Sequence, residues 1–297
     1  MKILIVGRGA MGLLFSHYLI DHDISIKSRT NSTSTTFSFT NINGLSKQCH
    51  FNSAFDTETS NADCIICCVK SYDVSTVIAK IAPYINNQCP IVLTNNGMGV
   101  IEQLQQKLNI TNPIYALLTT MGAKRLSPNH IIHTGIGKNQ MGLVSGSANE
   151  VQEDLINILK SSIPSFTYSE QIVTLQWQKL AINCAINALS AINDINNGEL
   201  SNLNYKSTIE DVIRELIIVA EHEGVPLNFD NLICTIYDVI DKTANNSSSM
   251  REDVLKKQDT EIDFINGFIY RLGQKHKIAT PTNAKLYKQI IDLTNSI

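Results

Sequence analysis

Apolar residues fall in short unbroken runs along the first half of the chain and in long helical periods along the second. KILIV (2–6), ISIKS (24–28), CIICCV (64–69), PIVLT (90–94) and PIYALL (113–118) read as strands. The stretches 10–21, 73–83 and 99–108 between them carry helical spacing. That alternation predicts a parallel sheet with helices on both faces. Beyond Met121, HIIHTG and QMGLVSG are β-like, and 148–162 is helical. After IPSFTYS (163–169) the strand signals stop. Helical patterns then occupy 171–192, 206–224, 228–243, 250–275 and 282–295, with TANNSSSM a short capped loop between two of them. The expected class is α/β: an N-terminal domain over 1–168 and an all-α C-terminal domain over 169–297.

The first strand runs directly into Gly7-Arg8-Gly9-Ala10-Met11-Gly12, and a helix follows. In that context G-x-G-x-x-G predicts a Rossmann-type dinucleotide turn. Gly7 permits the tight bend, Gly9 lets a pyrophosphate approach the backbone, and Gly12 lets helix and strand pack closely. Free N–H groups at the helix N-terminus then face the phosphates. The second strand ends IKSRTNS, where Lys27, Ser28 and Arg29 stand in place of the acidic residue that would bind a ribose 2′-hydroxyl. A guanidinium there suits a 2′-phosphate, so the expected cofactor is NADP(H). Lys70, ending the third strand in CVKSYDV, is a second cation for the same end of the nucleotide. Asn96, with Gly97 and Gly99 in LTNNGMG (93–99), lies at the end of the fourth strand, where ligands of such sheets bind.

Residues 171–192, QIVTLQWQKLAINCAINALSAI, hold the strongest sign of chemistry. At about 100° per residue, Asn183, Asn187 and Ser190 fall at roughly +40°, +80° and +20° from Lys179. The rest of the helix beyond Lys179 is apolar, which predicts burial. A buried ammonium and buried amides need partners, from the protein or from a polar ligand. Such a lysine can have a lowered pKa and act as a general acid. In DTEIDFINGFIYRLG, a continuous helix puts Glu261 on one face with Val254, Ile265, Phe268 and Leu272, so Glu261 is the expected partner of Lys179. Ser249 and Glu252 in NNSSSMRED have capping-box spacing. Asn197 in INNGEL offers another amide.

Composition narrows the classes. The 297 residues are 43% hydrophobic and 17% charged, with a formal net charge of -3. No basic field points to nucleic acid or an anionic membrane. No apolar run approaches the roughly 20 residues that span a bilayer. The N-terminal apolar run, interrupted by Gly7 and Arg8, is too short for a secretion signal, so a cytoplasmic location is expected. Seven cysteines show no metal-ligand spacing, and Cys64-x-x-Cys67 reads as a buried strand that uses Cys as a small apolar residue. No metal is expected.

GRGAMG, CVKSYDV, NNGMG, WQKLAINCAIN, NNGEL, NNSSSM and TEIDFINGFI, in this order along nearly the whole chain, resemble the ketopantoate reductase (2-dehydropantoate 2-reductase) family of the 6-phosphogluconate-dehydrogenase-like superfamily. The resemblance implies reduction of 2-dehydropantoate to (R)-pantoate with NADPH, toward pantothenate and coenzyme A. It implies Lys179 as proton donor, assisted by Glu261, which also lies near the cofactor ribose or the substrate. Asn96, Asn183, Asn187, Asn197 and Ser249 match substrate contacts, Arg29 and Lys70 the 2′-phosphate contacts, and Asn96 and Ala123 the nicotinamide side. The loop TTMGAKRLSP (119–128), which carries Ala123, follows the family pattern loosely. A monomer or homodimer acting on a small molecule is implied. Two alternatives stand beside this reading: reduction of another small keto acid, and an NADP-sensing protein without turnover.

Overall fold

The computed structural model describes residues 1–29, 36–54 and 56–295. They form two compact units. Met1–Asn95 with Val100–Ile172 make the first, and Asn96–Gly99 with Val173 onward make the second.

The first unit is α/β and Rossmann-type. Its strands are β1 (Lys2–Val6), β2 (Asp23–Lys27), β3 (Thr36–Thr40), β4 (Ser46–His50), β5 (Asn52–Ser53), β6 (Cys64–Cys67), β7 (Ile91–Leu93), β8 (Ile114–Thr119), β9 (Gly122–Ser127), β10 (His130–Gly135), β11 (Asn139–Ser145) and β12 (Phe166–Tyr168). Its helices are α1 (Ala10–Tyr18), α2 (Ser71–Ile81), α3 (Val100–Leu108) and α4 (Val151–Ser162). Eight strands pair in the order β12-β11-β8-β7-β6-β1-β2-β5. All neighbours are parallel except β11 and β8. The buried runs KILIV and CIIC lie side by side at its centre, Ile3 opposite Cys64 and Val6 opposite Cys67. Cys64 and Cys67 are free thiols there, and burial pushes the Cys67 thiol up to about 12, the behaviour of small apolar core residues.

A second sheet, β4-β3-β10-β9, was not expected from the sequence. Its signal is the alternation in TFSFT, which buries Phe37 and Phe39. Asn41 closes the β3–β4 hairpin, its Oδ1 accepting from the N–H groups of Asn43 and Leu45, both at 2.9 Å.

The regular secondary structure described in the second unit is helical: α5 (Ile172–Asn193), α6 (Leu203–His222), α7 (Phe229–Lys242), α8 (Ser249–Leu255), α9 (Asn266–His276) and α10 (Pro281–Asn295). No helix among the described residues is long and apolar enough to cross a membrane. The continuous helix expected over 250–275 is broken. After α8 the chain turns through Lys257 at φ 53, and a 3-10 turn over Ile262–Phe264 precedes α9. The apolar spacing persists across the break, so periodicity cannot reveal it. Burial does: Glu261, Ile262, Phe264 and Ile265 are all buried. Four of five consecutive residues exceed what one face of a helix can cover.

Glu215, buried in α6, organises the start of α10. Its carboxylate accepts from the backbone N–H groups of Thr282 (2.7 Å) and Asn283 (2.9 Å) and from Asn283 Nδ2 (2.8 Å). It thus supplies an anion and two acceptor bonds to a helix N-terminus. Glu215→Ala leaves those donors buried without an acceptor and is expected to cost about 3 kcal/mol; Glu215→Gln should lose markedly less. Urea unfolding midpoints at constant m-value check this order.

Candidate active site

In the first unit, the glycine turn has the geometry the motif demands. Gly7 has φ 106, and a Cβ there would lie 2.9 Å from Val69 and 3.1 Å from the Cys68 backbone. A Cβ on Gly12 would come within 1.9 Å of the Gly7 carbonyl oxygen. Gly9 is different: nothing lies within 4 Å of where its Cβ would be, so the space beside it is open. Gly9 is also the N-cap of α1, no side chain caps that helix, and its first turn, Ala10-Met11-Gly12, holds no acid. An uncapped N-terminus beside open space fits a pyrophosphate. Arg8 turns aside, its Nη2 donating to Asn129 Oδ1 at 2.5 Å and its guanidinium 5.6 Å from the centre of the Phe51 ring.

The strands flanking β1 carry the cations. Gly7 N–H donates to the Lys27 carbonyl at the end of β2 (2.9 Å), and Cys68 N–H to the Val6 carbonyl (2.8 Å). Arg29 follows β2, and Lys70 is the N-cap residue of α2. The end of IKSRTNS, residues 30–32, lies outside the described residues. Sequence reasoning missed Asp73: from the first turn of α2 it accepts a hydrogen bond from Arg29 Nη2 and forms an ion pair with it. The two are far apart in sequence, and only the parallel pairing of β1 with both β2 and β6 brings them together. Ala123 lies in β9, partly buried against the apolar core of this unit.

In the second unit, the polar stripe of α5 forms as spaced. Lys179 and Asn183 are partly covered, Asn187 and Ser190 buried, while Trp177, Leu180, Ala181, Cys184, Ala185 and Ala188 fill the core. Lys179 is partly covered, and burial strips water from its side chain. That burial draws its pKa down to about 8, against the opposing pull of the Glu261 carboxylate. Glu261 is 4% exposed and sits just before the 3-10 turn, not on a continuous helix face. Asn96 Nδ2 donates a long hydrogen bond to Glu261 Oε2 (3.4 Å).

Two glycines fasten the Asn96 segment. Gly97 has φ 79, and a Cβ there would lie 2.1 Å from the Phe264 carbonyl oxygen; that same oxygen accepts from Met98 N–H at 2.8 Å. Gly99, at φ 99, lies under the Phe268 ring. The turn therefore delivers Asn96 to Glu261 by a backbone contact that no side chain could permit.

The INNGEL and TANNSSSM loops are tied together. Asn197 Nδ2 donates to Thr243 Oγ1 (2.9 Å), and the backbone N–H groups of Asn197 and Gly198 donate to the Asn246 and Ala244 carbonyls (3.0 and 3.1 Å). The cap of α8 falls one residue earlier than its spacing suggested. Ser248, not Ser249, is the N-cap, accepting from Arg251 N–H at 3.1 Å and from Ser190 Oγ at 2.7 Å. Ser249 is the first helical residue and exposed. A run of three serines cannot say by itself which one caps. Among the described residues, four buried polar atoms of this unit have no hydrogen-bond partner: Asn266 Oδ1, in the core where its Nδ2 donates to Asn283 Oδ1, and Asn183 Nδ2, Asn197 Oδ1 and Ser247 Oγ. Buried groups of this kind normally have one, so a polar ligand has work to do here.

Comparison with known proteins agrees with this chemistry. The family described as ketopantoate reductase PanE/ApbA matches residues 3–146, and its C-terminal part, ketopantoate reductase PanE/ApbA C terminal, matches 171–293. A 2-dehydropantoate 2-reductase of Vibrio cholerae is 32% identical over 298 residues, covering 100% of this chain and 99% of the relative. The enzyme of that name from Shigella flexneri is 32% identical over 98% of this chain and 94% of its own. Among solved structures, a PanE/ApbA family ketopantoate reductase from Ralstonia eutropha JMP134 superposes with a TM-score of 0.90 at 25% identity, covering 100% of this chain and 99% of the other. D-mandelate dehydrogenase, solved with NADH and anilino(oxo)acetate, shares the fold with a TM-score of 0.89 at 23% identity over 100% of this chain and 99% of its own. Both parts of the chain match the same family, and the chain belongs to the ketopantoate reductases.

Proposed function

We propose that this protein is a 2-dehydropantoate 2-reductase, reducing the ketone of 2-dehydropantoate to (R)-pantoate with NADPH on the route to pantothenate and coenzyme A. The observation that carries the reading is the Lys179 ammonium, desolvated, opposed to Glu261, and accompanied by unsatisfied amides. Gly7, Gly9 and Gly12, with the open end of α1, would hold the pyrophosphate of the dinucleotide; Arg29 and Lys70 would meet its 2′-phosphate. NADPH, when bound, supplies the hydride.

The chain's own residues supply the rest. Negative charge grows on the carbonyl oxygen as the hydride arrives, and Lys179 stabilises it and gives up the proton. A pKa near 8 leaves the amine protonated at neutral pH and able to release the proton. Glu261 keeps the ammonium charged, and Asn96 steadies Glu261 through its amide. Asn183 offers a donor, Asn197 an acceptor and Ser247 a hydroxyl that can act as either. That set matches a short acid bearing a hydroxyl group. Asn187 and Ser249 would complete the substrate contacts, and Asn96 and Ala123 are the residues that the family resemblance assigns to the nicotinamide.

NADPH oxidation followed with 2-dehydropantoate, beside pyruvate, 2-oxoisovalerate and acetoacetate, tests the substrate. Rapid turnover with 2-dehydropantoate alone is the expected result; turnover only with another acid changes the substrate, and none with any acid despite NADPH binding points to a sensor. Lys179→Ala should lower kcat by at least about 100-fold with NADPH binding retained. Reduction uses the protonated amine, so kcat should be level below pH 8 and fall as pH rises through it. The reverse oxidation uses the neutral amine and should rise over the same range. In Glu261→Gln the raising influence is gone, and the inflection in the reductive pH profile should move to lower pH.

A further inference from the structure

We propose that Asp73 sets the cofactor preference of this protein, holding Arg29 by its carboxylate and opposing a 2′-phosphate while offering an acceptor to a 2′-hydroxyl. The inference rests on the dinucleotide reading of the first unit and adds a residue to it.

The placement carries the argument. β2 and β6 flank β1 on either side, and their carboxyl ends bracket the glycine turn. Arg29 follows the end of one, and Asp73 stands in the first turn of the helix after the other. The Arg29 side chain is 77% exposed and the Asp73 side chain 26%. Asp73 is therefore the rooted member, in a helix first turn that favours a carboxylate. Arg29 is the long, exposed one. An exposed pair of this kind adds little to folding, so its consequence is for whatever arrives beside it.

Arg29 Nη2 makes the bond to Asp73, and a guanidinium carries five N–H donors in all. A 2′-phosphate reaching those donors meets a fixed negative charge on their far side. The bond to Arg29 and the repulsion from Asp73 then work against each other. A 2′-hydroxyl carries no such charge and can donate to the carboxylate, the role an acid at this end of the fold serves for NAD. Reading along β2 finds a basic end and predicts NADP(H). The fold adds an acid from a different strand-to-helix connection, and the expectation becomes a narrowed preference, with NADH used as well.

The test is Asp73→Asn, which keeps the size and an acceptor oxygen while removing the charge. Dissociation constants for NADPH and NADH are measured by fluorescence on the whole protein, alongside kcat/KM for each. The expected result is an NADPH/NADH ratio raised about tenfold, the scale of one unit-charge interaction at a partly screened site. The change should lie mainly in NADPH affinity and shrink as salt is raised. Arg29→Ala should move the ratio the other way. An unchanged ratio, or NADPH weakened more than NADH because Asp73 merely steadies Arg29, overturns the proposal. If both dinucleotides bind but no keto acid is turned over, the reaction reading fails and the binding ratio still decides the role of Asp73. If wild-type protein binds neither dinucleotide, the cofactor reading and this proposal fall together.

Discussion

An ammonium removed from water has to be matched by charge or give up its proton, and the second unit is arranged around that constraint. Lys179 is desolvated on α5, and the Glu261 carboxylate acts against the loss of its charge. A buried carboxylate has needs of its own. It sits at a break between helices, with an amide from Asn96 on one oxygen. The Asn96 amide arrives only because Gly97 lets the backbone approach the Phe264 carbonyl. Helix break, glycine turn and amide all converge on Glu261, the carboxylate that acts on Lys179.

The same economy of partners runs through the unit. Ser190 is satisfied by Ser248, Asn197 by Thr243, and the N-terminus of α10 by Glu215. Against that background, Asn183 Nδ2, the Oδ1 of Asn197 (only its Nδ2 is taken up by Thr243), Ser247 Oγ and Asn266 Oδ1 stand out as buried atoms without a partner among the described residues.

The motifs and the helix periods were legible because they are local. The glycine spacing of residues 7–12 demands a particular turn, and the apolar surroundings of Lys179 and Asn183 demand a buried helix. What escaped was set by tertiary pairing. TFSFT is only five residues long, and its sheet is declared by pairing with β4 and the distant β10. The break between α8 and α9 hides behind continuous apolar spacing. Ser248 and Ser249 are chemically identical as candidates for a cap. Asp73 reaches Arg29 only through strand order, which no local pattern encodes. The site chemistry was therefore easier to read than the partners that tune it.

The Asn96–Gly99 segment also changes what counts as a part of this molecule. It lies in the first hundred residues yet belongs with the helices that begin at Val173. A chain cut at 172 would leave the C-terminal fragment without its own Met98 donor, with the Phe264 carbonyl and the Glu261 carboxylate each short of a partner. The helical half is thus not a detachable module. It is completed by a four-residue loan from upstream, and the two halves of the gene can be recombined with those of relatives only if that loan travels with the helices it serves.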